Sequence, residues 1–134
     1  MKILFICKYN RFRSRVAEAY FKKINKNKNI TSASAGLIIG SPVNDFQKNT
    51  VRRFGLDISR RPKPLSSKLL KEQNLIIIVA NDVPKETFNK FKAKTIAWKI
   101  PDAKVNKEEI IVKIIKPILR KVEKLVKDLN EEMK

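Results

Sequence analysis

The chain has 134 residues, a length that suits one domain around one core. Lys and Arg number 31 against 13 Asp and Glu, a formal charge of +18. With no histidine and one cysteine, His-based catalysis, an intrachain disulfide and a four-Cys zinc site are excluded. Hydrophobic residues make up 43%, with three glycines and six prolines, which excludes a disordered basic tail and a collagen-like chain.

Ile3 to Ile6 is an unbroken apolar run that predicts a buried strand ending at Cys7. A polar stretch to Arg13 follows, and then Val16, Ala17, Tyr20, Phe21 and Ile24 recur at helical spacing to about Lys26. Asn25 to Asn29 reads as a loop, and Ile30 to Ala35 as a second strand closed by Gly36. Val43 to Phe54 predicts a helix with Pro42 at its start and Gly55 as its stop. Arg60 to Pro64 is irregular, and Ser66 to Gln73 forms a short helix capped by Ser66 or Ser67. Leu75 to Val79 is the strongest strand, apolar throughout and suited to burial on both faces.

Pro84 to Phe91 predicts another short helix, Lys94 to Trp98 a fourth strand, and Ile100-Pro101-Asp102 a loop at its C-terminal end. Asn106 with Glu109 has the spacing of a capping box. The last helix runs from there toward Asn130, with Pro117 expected to kink or break it. The β-α-β-α-β-α-β-α order implies one parallel sheet covered on both faces, with ligands bound beyond the C-terminal strand ends. Cys7 and Asp102 both follow strand ends and fall on that rim. No linker or repeat divides residues 1–134, read as one domain.

Neither a secretory core of roughly 7 to 15 apolar residues nor a membrane span of ~20 is present, so a cytoplasmic protein without membrane association is expected. An unpaired cysteine agrees with that compartment. The basic charge attracts phosphate-bearing partners. It comes without a zinc-finger spacing, an aromatic RNA-binding signature or a Gly-X-X-Gly clamp, so no specific nucleic acid is expected.

The informative segment is Cys7-Lys8-Tyr9-Asn10-Arg11-Phe12-Arg13-Ser14, a Cys-x5-Arg-Ser loop between a strand and a helix. Such a loop can turn its N–H groups around an anion, with the helix N-terminus adding donors and partial positive charge. Arg13 can hold two phosphate oxygens bidentately. The same dipoles and guanidinium favour the nucleophilic thiolate of Cys7, and Ser14 can donate to it. Taken alone, a cysteine after an apolar run reads as a small buried hydrophobe. The complete pattern, whose Arg-Ser/Thr pair has a chance occurrence of roughly half a percent, favours the anion site. A phosphate monoester there needs a proton donor opposite the nucleophile. Asp102 and Asp82 both follow strands, although either by itself is an ordinary loop aspartate.

Together with Ala17-Glu18, Ser34-Ala35-Gly36, Gly55-Leu56-Asp57-Ile58-Ser59 and the late Ile-Pro-Asp, the loop resembles the low-molecular-weight protein-tyrosine phosphatases. Related arsenate reductases and protein-arginine phosphatases share that resemblance, which spans about residues 2 to 131. It implies a three-layer α/β/α fold with a central four-stranded parallel sheet, of the phosphotyrosine-phosphatase-I kind and flavodoxin- or Rossmann-like. It also implies metal-free hydrolysis of phosphate monoesters, on a phosphoprotein or a small molecule, through a phosphocysteine, with inorganic phosphate as product and no cofactor. By that resemblance Cys7 is the nucleophile, Arg13 binds the phosphate and transition state, and Asp102 protonates the leaving oxygen and then activates water. Lys8, Tyr9, Asn10, Arg11, Phe12 and Ser14 form the substrate-binding loop, with Asn10 in a left-handed turn, Ser14 tuning the thiolate and Ser34 supporting Asn10.

The chain departs from the family pattern at several of these places. Tyr9 replaces a glycine, Phe12 a frequent second cysteine, Arg61 a buried histidine, and Ala103 the proline after the aspartate. Leu37, Ile38 and Ile39 stand where an aromatic commonly follows Ser-Ala-Gly. An arsenate reductase coupled to an external thiol and a non-catalytic phosphate- or phosphopeptide-binding module are the alternatives. A reductase with an internal disulfide relay is excluded by the single cysteine.

Overall fold

A computed structural model describes residues 1–132. The apolar runs become β1 (Lys2–Cys7), β2 (Thr31–Gly36), β3 (Leu75–Val79) and β4 (Lys94–Trp98). The amphipathic segments become α1 (Arg13–Ile24), α2 (Asp45–Arg52), α3 (Ser67–Lys71) and α4 (Glu108–Glu132). The strands form one sheet in the order β2-β1-β3-β4, every neighbouring pair parallel. Ile3 lies beside both Ser32 and Leu75, and Ile6 beside both Ala35 and Ile78. From β1 the chain moves outward to β2 and returns to β3 on the other side, so strand order reverses at the β1/β3 boundary, where such sheets bind ligands.

Both faces of the sheet are covered, which explains the unbroken apolarity of its central strands. Ile3, Phe5, Leu75, Ile77 and Val79 point into a layer built with Val16 and Phe21 of α1, Val51 of α2 and Ile111 and Ile118 of α4. Their neighbours Leu4, Ile6, Ile76 and Ile78 point the other way, against Leu70 of α3 and Phe88. Among the described residues no helix is long and apolar enough to cross a membrane.

Three local expectations are revised, and of the two outcomes expected at Pro117 the break does not occur. Residues Pro84 to Phe91 hold only a single 3-10 turn, Lys85–Phe88, closed by bonds such as Asn89 N to Glu86 O. Burial of Phe88 against the sheet holds it as one tight turn. Helix α2 begins at Asp45, three residues beyond Pro42, because the Asn44 side chain accepts from Gln47 N and caps it. The capping box at Asn106 does not form; its Oδ1 accepts from Asn44 Nδ2, and α4 starts at Glu108. Helix α4 also continues through Pro117 without a break. Ile114, Ile115 and Ile118 are buried on either side of it against the core, so packing outweighs the lost backbone bond there.

Candidate active site

The site is built where β1 meets α1. Burial of Ile3 to Ile6 fixes the strand, and Cys7 ends it at 2% exposure. The loop then passes over the end of β2, and only a glycine allows it. A Cβ on Gly36 would sit 2.7 Å from the Tyr9 carbonyl carbon and 2.8 Å from Asn10 N. Asn10 turns the loop with φ of 54°, the one non-glycine residue in the left-handed region among those described. From Lys8 to Phe12 no backbone N–H has an acceptor among the described residues. Helix α1 opens with no side-chain cap and no acidic residue in its first turn. The segment is therefore a run of unused donors at a positive helix end.

Beneath the loop a continuous hydrogen-bond chain begins at the sulfur. Cys7 Sγ is 3.0 Å from Ser14 Oγ, and Asn10 Nδ2 donates to Ser14 Oγ at 2.8 Å and to Ser34 Oγ at 3.0 Å. Ser34 Oγ donates to Glu18 Oε1 at 2.6 Å. With Asn10 supplying one bond to Ser14 Oγ, the serine's own hydrogen is available to the sulfur. Asn10 Oδ1 accepts from Lys63 N at 2.8 Å, and Gly36 N donates to Lys63 O, which ties the 63–65 segment alongside β2.

Glu18, 3% exposed, ends this chain and also accepts from Lys22 Nζ at 2.7 Å and pairs with Arg60 Nη2 at 2.8 Å. Burial by itself would raise its pKa. The hydrogen bonds from Lys22, Ser34 and Arg60 outweigh that and hold the carboxyl below its usual value. Arg15, also buried, donates to Asn10 O and Ile58 O, and burial followed by the charge of Arg60 lowers its pKa.

Arg13 is 2% exposed, and its guanidinium is oriented by three groups from the C-terminal ends of β3 and β4. Nη1 donates to Ile100 O at 2.9 Å, and Nη2 donates to Asp82 Oδ1 and Oδ2 at 3.1 and 3.3 Å. Nε lies 3.8 Å from Asp102 Oδ1, which also accepts from Ala103 N. The two aspartates that competed in the sequence thus both meet Arg13, with Asp82 the closer.

The candidate residues are brought together, though not all as side chains facing a ligand. Phe12 is buried with Val16 in the core and offers the loop only its backbone. Asn10 and Ser14 are buried beneath the loop. Lys8, Tyr9 and Arg11 are part-exposed at its rim. The substitution at Arg61 leaves the Asn10 network whole, because the neighbouring Arg60 reaches Glu18. Sequence reasoning missed the parts of Glu18, Arg60 and Lys63. A signal existed for Glu18, which lies one turn after Ser14 on the same helical face.

Comparison with known proteins bears on all of this. The model of the family "Low molecular weight phosphotyrosine protein phosphatase" matches residues 2–134. No curated protein sequence matches significantly. Among solved structures the chain is similar to the YwlE arginine phosphatase of Geobacillus stearothermophilus, at 21% identity and a TM-score of 0.84 over 98% of this chain and 94% of that one. It is similar to the low molecular weight protein tyrosine phosphatase of T. tengcongensis, at 23% and 0.82 over 96% and 99%. It is also similar to the arsenate reductase of Archaeoglobus fulgidus, at 23% and 0.75 over 92% and 98%.

Proposed function

Because the chain belongs to the low molecular weight phosphotyrosine protein phosphatase family, whose members are cysteine-dependent hydrolases, we propose that it hydrolyses phosphate monoesters of protein residues, phosphotyrosine foremost, through a phosphocysteine on Cys7. The observation that carries this reading is the β1–α1 loop itself. A buried sulfur with a hydroxyl donor at 3.0 Å sits at the base of a run of uncommitted amides, followed by an oriented arginine. That is a receptacle for a phosphoryl group with a nucleophile beneath it.

In the first step the Cys7 thiolate attacks phosphorus and the ester P–O bond breaks. The leaving oxygen takes the proton of Asp102, and the phosphoryl group stays on sulfur. In the second, water attacks phosphorus and gives a proton to the Asp102 carboxylate. The P–S bond then breaks, inorganic phosphate leaves and the thiolate returns. Arg13 holds the equatorial oxygens through N–H donors not engaged by Ile100 O and Asp82. Ser14 donates to the thiolate, and Asn10 with Ser34 holds the loop's left-handed turn. Residues 1–134 act as one phosphatase domain, in a reducing compartment such as the cytoplasm, since the sole cysteine must stay a thiol. A reductase cycle would need a second thiol from another molecule.

Turnover of p-nitrophenyl phosphate in the presence of a chelator tests the reading. Cys7→Ser abolishes turnover, and Asp102→Asn lowers kcat by about 10²-fold or more while phosphate still binds. No turnover by the wild type at any pH between about 4 and 8 overturns the reading. An unchanged rate in Asp102→Asn removes that residue from the mechanism.

A further inference from the structure

The buried Arg15 donates to the Asn10 and Ile58 carbonyls, and five further cations of the site fall into two groups. Arg13 faces Asp82 and Asp102, and Arg60 and Lys22 share Glu18, so each of these three has a carboxylate beside it. Lys8 and Arg11, on the loop's outer side, have no carboxylate partner among the described residues. They are nevertheless held in place. Lys8 Nζ lies 5.4 Å and Arg11 Cζ 5.1 Å from the centre of the Tyr9 ring, and Arg11 Nη1 donates to Ser41 Oγ at 3.3 Å. Tyr9 packs closely on Gly40, where an added Cβ would sit 2.7 Å from Tyr9 Cβ and 3.2 Å from ring atoms Cγ and Cδ1.

An apolar shoulder adjoins these charges. Leu37 N donates to Cys7 O and Ile38 N to Lys8 O, which fastens the segment after β2 to the base of the loop. That segment leaves Leu37, Ile38 and Ile39 exposed, Ile39 at 76%. The lip of the site is thus two positioned, unneutralised cations beside three exposed aliphatic side chains.

The geometry points to a docking surface for an acidic phosphoprotein segment. Carboxylate side chains flanking the phosphorylated residue pair with Lys8 and Arg11, while a neighbouring apolar side chain rests on Leu37–Ile39. The inference rests on the phosphatase reading for the phosphoryl group and names the substrate class of that site. A segment of chain, rather than a small ester, fits because the two charges lie on the outer side of the phosphate loop and the apolar shoulder lies after β2, both beyond the amides that would hold a phosphoryl group. Desolvated only in part, the two pairings are modest in strength and sensitive to salt.

Matched phosphotyrosine peptides with Glu, Gln or Lys flanks provide the test. Their affinities for the Cys7→Ser protein are read by fluorescence anisotropy, and kcat/KM is read on the wild type. The Glu-flanked peptide binds about fivefold to tenfold more tightly than the Gln-flanked one at low salt, and the gap closes near 0.5 M salt (about a 4 Å screening length). The pair Lys8→Gln with Arg11→Gln, each in the Cys7→Ser background, reduces the preference to within about twofold. Arg11→Lys, which keeps the charge, retains it. Equal affinity for Glu and Gln flanks overturns the proposal. So does a preference that survives loss of both cations, or binding that does not require the phosphate. Failure of p-nitrophenyl phosphate turnover counts against the hydrolase reading alone, because the binding measurements need no chemistry.

Discussion

Glu18 shows how much one residue can carry without touching a ligand. Its carboxylate joins α1, β2 and the Arg60 segment, and through Ser34 it reaches the asparagine that turns the phosphate loop. Its native pKa lies below the unfolded value, so its contribution to stability is present above the ordinary glutamate range near about pH 4. That contribution fades as pH falls through the lower native value. Urea-unfolding midpoints of the wild type and Glu18→Gln should therefore differ at pH 7 and converge as pH falls toward about 3. A difference independent of pH would show that the charge is immaterial. The residues of the motif were legible because Cys7, Arg13 and Ser14 are close in sequence. The partners of Asn10 were less so, since Ser34, Lys63 and Arg60 meet it or its network only after the chain has folded.

Among the elements, β1, β3 and α1 follow directly from their patterns, and so does α4 except at Pro117. A proline after nine helical residues would ordinarily end or bend the helix. Here the apolar stripe on either side of Pro117 is fixed by the core and the helix runs on. Pro117→Ala restores a donor for the Lys113 carbonyl and should raise stability by about 1–3 kcal/mol, measured by urea unfolding. A loss of stability instead would mean that the proline ring is itself packed to advantage. The starts of α2 and α4 are joined by one side chain: Asn44 caps α2 with Oδ1 while its Nδ2 donates to Asn106, just before α4.

For the whole molecule, the net charge of +18 acts on everything else. Self-repulsion of that size opposes the compact state and is relieved by screening. The melting temperature should rise as sodium chloride goes from about 10 mM to about 0.5 M, where the screening length falls from about 30 to about 4 Å. A flat or falling response would mean that local ion pairs, such as Glu18 with Arg60 and Lys22, dominate the balance. Lys8 and Arg11 at the lip are part of that basic surface. The charge is a general attraction, and the loop gives it one place to act.

The sequence by itself determined the alternation of strands and helices, the parallel sheet they require and the spacing of cysteine, arginine and serine around one loop. Those features are local, set by side-chain period and by turns a few residues long. Only the tertiary structure decided that Asp82 and Asp102 both meet Arg13 and that Arg60 rather than Arg61 closes the network on Glu18. It likewise decided that Lys8 and Arg11 stand beside Tyr9 with no carboxylate partner among the described residues. Each depends on segments far apart in sequence arriving at the same strand ends. Which charge neutralises which is a matter of distance, and distance exists only once the sheet has formed.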